Sequence, residues 1–176
     1  MQQRYTHVAI FFHWLVALLI IGAFSMGLVM TEMAPSMTKL KYFSWHKWAG
    51  VTILGLATLR LLWRLSHKAP PYPASMPSWQ QQAANLLHGA LYVLMFAVPL
   101  SGYFYTLAAG YPVVYFGLVE LPVLIAKNDA LKPVLKEVHF WLNMALAGLV
   151  AAHVAAALKH HFIDRDGIIK RMMPSA

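Results

Sequence analysis

The sequence predicts an all-α fold, an integral membrane four-helix bundle. Of the 176 residues, 60% are hydrophobic and only 11% are charged, against roughly 25% charged residues in a soluble domain. The chain contains four apolar runs, each long enough for the about 20 residues that a membrane-spanning helix needs. The connections between the runs are short, which favours antiparallel neighbours in a bundle. We therefore expect residues 1–176 to form one four-span domain in a lipid bilayer.

The first two spans are predicted at residues 8–30 and 45–65. The first run is longer than the roughly 7 to 15 residues of a signal-peptide core, so we expect it to remain as a span. The second run carries His46 near its start and Arg60 near its end. A polar residue inside a span is costly and indicates a function.

The third and fourth spans are predicted at residues 83–108 and 134–160. Pro99 lies inside the third span and is expected to kink it, because proline lacks the backbone N–H. Residues 67–77, between the second and third spans, contain four prolines and are expected to form a rigid extended linker. Residues 111–126 are apolar but interrupted by proline, glycine and glutamate, so we expect them to lie at the membrane interface.

The net charge of +8 is better explained by membrane topology than by nucleic-acid binding, because the charges cluster at span ends. The N-terminus, the second loop and the C-terminal tail carry eight basic residues against two acidic ones. Both termini are therefore expected on the cytoplasmic side. The other two loops keep six lysines, which suggests attraction of an anion: Lys39, Lys41, Lys47, Lys127, Lys132 and Lys136.

The histidines within the spans pair at two depths. His139 and His153 are fourteen residues apart, which places them on one helix face about 21 Å apart. Because neighbouring spans alternate in direction, we expect that His13 can lie close to His153 at the inner depth, and His46 close to His139 at the outer depth. Two stacked histidine pairs in a four-helix bundle are the arrangement that holds two b-type haems.

Other residues on these faces fit haem binding. Gly50 and Gly148 leave room for a flat macrocycle, and Arg60 could pair with haem propionates or could extend to the interface. His88 could replace one ligand or face a quinone, and His160 could also face a quinone. The chain has no cysteine, so any haem must be held without covalent attachment.

The sequence resembles the four-span, di-haem bacterial cytochrome b561 family over nearly its whole length. The resemblance rests on His13-Trp14-Leu15-Val16, the region of His88, and His153 followed by an alanine-rich run to His160-His161. It also includes Arg171-Met172-Met173-Pro174 near the C-terminus. The family pattern implies that His13 and His153 hold one haem b and that His46 and His139 hold the other, with iron as the metal.

The resemblance is strongest to the superoxide oxidase branch of that family. It implies an oxidoreductase of the bacterial inner membrane that takes electrons from superoxide at the periplasmic side and reduces ubiquinone. His88 and His160 are implied as quinone-site residues. The catalytic residues at the superoxide end are unknown, and no partner protein is required.

Two alternatives remain open from the sequence. The chain could be a cytochrome b subunit that links a partner dehydrogenase or hydrogenase to the quinone pool. It could also be a haem-free proton or metal transporter that uses the intramembrane histidines. A reduced-minus-oxidised visible spectrum separates the second alternative from the haem proteins.

Overall fold

The fold is a four-helix bundle whose helices are long and apolar enough to cross a membrane. A computed structural model describes residues 4–174. The helices are α1 (His7–Glu32), α2 (Met37–Ser66), α3 (Ser78–Ala108) and α4 (Leu131–Lys159). The predicted all-α membrane bundle is thus confirmed.

Three of the four helices begin with a side chain that accepts hydrogen bonds from the first backbone N–H groups, whereas α3 follows Pro77 and has no side-chain cap. The Thr6 hydroxyl accepts from the Ala9 N–H, and the Ser36 hydroxyl accepts from the Lys39 N–H. The Asn128 side chain accepts from the N–H groups of Ala130 and Leu131 at the start of α4. Side-chain capping of this kind replaces the hydrogen bonds that a helix cannot make within its first turn.

The helices extend beyond the apolar runs. α2 begins at Met37, well before the predicted start at 45, because Ser36 caps a first turn whose lysines lower its hydropathy. α4 continues as a π-helical turn over His160–Asp164, and a short 3-10 helix follows at Ile169–Arg171. Pro99 lies inside α3.

The segment between α3 and α4 contains a two-stranded hairpin that the sequence analysis did not predict. Strands β1 (Val114–Tyr115) and β2 (Val119–Glu120) pair antiparallel. The turn between them uses positive φ at Phe116 and Gly117. The Trp48 indole donates to the Val114 carbonyl at 2.7 Å, so the hairpin is fastened to α2.

Both described ends of the chain lie at the opposite end of the bundle from the hairpin. The Tyr5 N–H donates to the Arg171 carbonyl, and Arg4 donates to the Met173 carbonyl. Arg171 donates to the carbonyl of Pro71 in the α2–α3 linker. We call this the terminal end of the bundle and the other the hairpin end.

Two clusters of buried apolar side chains lie in the middle of the bundle. One joins Val16, Ala57 and Met95, and another joins Leu94, Val98 and Leu146. α3 packs most closely with α4, and α1 with α2, whereas α1 and α4 pack only sparsely against each other. Large apolar side chains cover the outside of the helices, as expected where the surrounding solvent is lipid.

Candidate functional site

The bundle brings four histidines together in two pairs at two depths. His46 of α2 faces His139 of α4 at the hairpin end, with ring centroids 6.2 Å apart. His13 of α1 faces His153 of α4 at the terminal end, with centroids 6.1 Å apart. We call them the hairpin-side pair and the terminal-side pair. The two levels lie about 21 Å apart along α4, from its rise of roughly 1.5 Å per residue.

The spacing within each pair fits one metal ion between two imidazoles. Metal–nitrogen bonds to histidine are about 2.0 to 2.1 Å long, so rings on opposite sides of one ion have centroids roughly 6 Å apart. Both pairs have this separation. An axial pair of histidines is a common way to hold a b-type haem.

The hairpin-side pair is held by hydrogen bonds that leave one ring nitrogen of each histidine for a metal. The His46 Nδ1–H donates to the Ala23 carbonyl at 3.0 Å. The His139 Nδ1–H donates to the Val98 carbonyl at 3.1 Å and lies 3.0 Å from the Ser101 hydroxyl. Ligating histidines usually donate their other N–H in this way, which fixes the tautomer. Nε2 of both rings is therefore the nitrogen that could bind iron.

Open space and glycines surround the hairpin-side pair. A cavity of about 260 Å³ is lined by residues of all four helices, including His46, His139 and Gly50. A Cβ built on Gly27 would lie 3.3 Å from the His46 ring, and one on Gly102 would lie 2.8 Å from the His139 ring. Gly50 thus lines the cavity as expected, whereas Gly148 lies on an exposed part of α4.

Arg60 contacts the terminal-side pair directly. Its Nη2 donates to the His13 Nδ1 at 3.1 Å. Because a guanidinium cannot accept a hydrogen bond, the His13 proton then lies on Nε2. Ligation of iron through the His13 Nε2 therefore requires Arg60 to turn away from this ring. An anionic group on the ligand, such as a haem propionate, would give the guanidinium a better partner.

The terminal end carries three arginines for which the described residues provide no carboxylate partner. Within residues 4–174, no carboxylate lies within 4.0 Å of Arg60, Arg64 or Arg171. Arg60 and Arg64 both lie over the Tyr92 ring, at 5.5 and 5.6 Å from its centroid. Arg171 is 9% exposed and its Nε has no hydrogen-bond partner among the described residues. The residues at this level fit a ligand that carries carboxylates, which haem b does.

The two other histidines named from the sequence lie at the terminal end but are not adjacent to each other. The His88 ring centroid is 5.2 Å from that of His153, so His88 joins the terminal-side pair as a third imidazole. His160 is instead held by carboxylates, with its Nδ1 2.6 Å from Asp166 and 3.1 Å from Asp164. No ring contact or hydrogen bond joins His160 to His88 in the part of the chain that is described.

Gly27, Gly102 and Ser101 lie beside the hairpin-side pair and were not predicted from the sequence. A signal for the glycines was present. Gly27 follows His13 by fourteen residues and Gly102 follows His88 by fourteen. The same spacing joins His46 to Arg60 and His139 to His153. Each helix therefore presents one residue of this set at each of the two levels.

The chain is similar to several known proteins over nearly its whole length. The family model described as prokaryotic cytochrome b561 matches residues 4–175. Cytochrome b561 homolog 2 of Escherichia coli is 35% identical, over 97% of this chain and 92% of the relative. Cytochrome b561 homolog 1 of the same organism is 31% identical, over 98% of each chain. A probable superoxide oxidase CybB of Yersinia pestis is 32% identical, over 99% of this chain and 98% of the relative.

Proposed function

Because this chain belongs to the prokaryotic cytochrome b561 family of haem-binding membrane electron-transfer proteins, we propose that it is a superoxide:ubiquinone oxidoreductase. In this proposal His46 and His139 hold one haem b, and His13 and His153 hold a second. Electrons enter at the hairpin end and leave at the terminal end. The single observation that carries the proposal is the presence of two facing histidine pairs, each at metal-bridging separation, at two depths of one membrane bundle.

Each part of the chain has a separate task in this proposal. Bound haem supplies one-electron redox chemistry. The four histidines hold the iron, and the apolar helices exclude water from both levels. Arg60, Arg64 and Arg171 provide cations for the carboxylates of the terminal-side haem. His88, beside His153, supplies an imidazole that can donate a proton to a quinone carbonyl.

The reaction balances with two superoxide anions for each quinone. Each superoxide loses one electron and becomes dioxygen, and ubiquinone gains two electrons and two protons to become ubiquinol. We place the hairpin end on the periplasmic side and both termini in the cytoplasm of a bacterial inner membrane, because positive residues concentrate at the terminal end. Superoxide as the donor is supported by the similarity to the probable superoxide oxidase of Yersinia pestis.

The lysines at the hairpin end also support a small anionic donor. Lys41, Lys132 and Lys136 are exposed at the starts of α2 and α4. A positively charged surface of this kind raises the local concentration of anions and their rate of encounter. Superoxide is small and carries one negative charge, so it matches this surface.

The test is to supply a superoxide source to the purified protein in lipid, with ubiquinone present, and to follow haem absorbance and ubiquinol. We expect rapid haem reduction, then two molecules of superoxide consumed per ubiquinol. Superoxide dismutase added beforehand should abolish both signals. A protein with intact haems that superoxide does not reduce would contradict the proposed donor and favour a subunit that serves a partner dehydrogenase or hydrogenase.

A further inference from the structure

We propose that α3 carries a seat for the His139 ring, formed by the Val98 carbonyl, the Ser101 hydroxyl and Gly102, and that the Ser101 hydroxyl lowers the reduction potential of the haem held there. Ser101 acts in this proposal as a positioning residue that works through His139. The inference rests on the proposed assignment of His46 and His139 as haem ligands.

Gly102 makes the seat possible because it has no side chain. A Cβ at this position would lie 2.8 Å from Cε1 and 3.1 Å from Nδ1 of His139. Such distances are too short for non-bonded atoms, so any larger residue would displace the ring. Gly102 is a helical residue with ordinary backbone geometry. Its absence of a side chain is therefore needed for the approach of His139 rather than for the backbone.

Ser101 is the side chain that completes the seat. It is only 8% exposed, and its hydroxyl donates to the Val98 carbonyl at 2.8 Å. With that proton committed, the hydroxyl oxygen can accept from the His139 Nδ1–H at 3.0 Å. The same Nδ1–H also points to the Val98 carbonyl at 3.1 Å. His139 therefore has two acceptors for one proton, which keeps the proton on Nδ1 and leaves Nε2 for the iron.

The other proposed ligands lack such a side-chain acceptor. His46 donates to the backbone carbonyl of Ala23 alone. His13 receives a hydrogen bond from Arg60, which is a donor. Within the described residues, Ser101 is thus the one side chain that accepts from a proposed ligand. Backbone carbonyls cannot be removed by substitution. A substitution of Ser101 can therefore remove a hydrogen-bond acceptor of a proposed ligand, His139.

The expected effect of Ser101 on the reduction potential follows from how strongly the His139 imidazole donates electrons to the iron. A hydrogen bond from Nδ1–H makes the imidazole a stronger electron donor through Nε2. A stronger donor stabilises the ferric state relative to the ferrous state, which lowers the reduction potential. The haem at the hairpin end would then pass its electron on more readily toward the terminal end. Removal of the Ser101 hydroxyl should shift its midpoint potential in the positive direction.

The experiment compares Ser101→Ala with Ser101→Thr, which keeps a hydroxyl, in the full-length haem-loaded protein. Thr106→Val is the matched control, because the Thr106 hydroxyl bonds only the Gly102 carbonyl of the same helix. The readouts are a redox titration followed by visible absorbance and the electron paramagnetic resonance signals of the ferric haems. We expect one midpoint potential of Ser101→Ala to become more positive while the other is unchanged. Ser101→Thr and Thr106→Val should both match the unsubstituted protein.

Two haems with unchanged midpoint potentials in Ser101→Ala would overturn the proposal. Ser101→Ala could also lose one haem, and haem content of Ser101→Thr then separates the two explanations. Two haems in Ser101→Thr would support the role of the hydroxyl, and loss of a haem in Ser101→Thr would contradict it. Gly102→Ala should alter the ferric signal of one haem or remove that haem, and an unaltered signal would also refute the seat. A different result would contradict the proposed function. That proposal requires two haems in the unsubstituted protein, and this requirement does not depend on the role of Ser101.

Discussion

At the level of single residues, the three imidazoles of the terminal end do not have equal surroundings. His153 has two imidazole neighbours, with its ring centroid 6.1 Å from that of His13 and 5.2 Å from that of His88. Only the His13–His153 separation matches two rings that share one metal ion. His88 is closer to His153 than that separation requires, so we assign it a role outside the iron coordination sphere.

We expect His88→Gln to keep both haems and to slow ubiquinone reduction. Loss of an acid or base in proton transfer typically costs about 10²- to 10⁴-fold in rate, so a fall of at least about tenfold is expected. Stopped-flow measurement of haem re-oxidation by ubiquinone gives the rate. His67→Gln is the matched control, because His67 is an exposed histidine stacked on Trp63 at the same end of the bundle. Loss of a haem in His88→Gln would show that His88 is a ligand and that the pairing is wrong.

The histidine pairs and the residues beside them differ in how far the sequence alone could predict them. The histidine pairs follow from periodicity and alternating span direction, which need no side-chain detail. Ser101 has no such signal, because its role depends on the α3–α4 distance. Gly148 follows His139 by nine residues and precedes His153 by five, which places it about 180° and about 140° around α4 from these two residues. It is exposed, and its place beside a haem remains a prediction that helix spacing does not support.

At the level of elements, the hairpin could not be predicted from the sequence, because strands of two residues are too short to show an alternating hydrophobic pattern. Its position depends on contacts with α2 that are distant in the chain. The Trp48 indole donates to Val114, and Thr52 shares a hydrogen bond with the Tyr115 hydroxyl at 2.9 Å. The predicted interfacial location remains a prediction, and it is consistent with large apolar side chains that are exposed in this segment: Tyr111, Phe116, Leu118, Val119, Val123 and Leu124.

We expect the hairpin to contact lipid, because Leu118 is 85% exposed and burial of an apolar side chain in lipid is favourable by about 1.5 to 3 kcal/mol. The chain has no cysteine, so a single label can be placed at Leu118→Cys. Asp129→Cys is the control in the same inter-helix segment, since the Asp129 side chain is 77% exposed and charged. In lipid vesicles, a fluorescent label at 118 should be quenched by nitroxide lipids and protected from iodide. Quenching by iodide to the same degree as the label at 129 would contradict the lipid contact.

At the level of the whole molecule, the distribution of charge separates the two ends of the bundle. The hairpin end carries lysines near the proposed donor site, while the terminal end carries arginines without carboxylate partners among the described residues. Not every lysine is equally available. Lys39 donates to the Met33 carbonyl and Lys127 pairs with Asp129 at 3.4 Å. We therefore expect the attraction of an anionic donor to depend on the other four lysines: Lys41, Lys47, Lys132 and Lys136.

The rate of haem reduction by superoxide should fall as ionic strength rises. Electrostatic attraction accelerates encounter by about 10- to 10³-fold and weakens as the Debye length shortens to about 8 Å at physiological salt. Combined change of Lys41, Lys47 and Lys136 to Gln should lower the rate and flatten its salt dependence. Lys68→Gln with Lys170→Gln, at the terminal end, is the control. A rate that responds neither to salt nor to the hairpin-end substitutions would show that these lysines do not attract the donor.

The overall architecture was the most predictable feature, because apolar length and spacing alone specify four antiparallel spans. The sparse packing between α1 and α4, which we call the α1–α4 seam, was not predictable from the sequence. Every helix is apolar on most of its surface, so the hydrophobic pattern does not show which neighbouring helices pack closely. The cavity beside the hairpin-side pair lies partly along that seam, since residues of both α1 and α4 line it.

The central claim is that each histidine pair holds one haem, and haem content per chain measures it most directly. The purified protein should contain two b-type haems per chain, with a reduced-minus-oxidised spectrum typical of bis-histidine ligation. His46→Ala and His139→Ala should each retain one haem and lose the same spectral component. His13→Ala and His153→Ala should each lose the other component. One haem in the unsubstituted protein, or two bis-histidine haems in His46→Ala, would contradict the account.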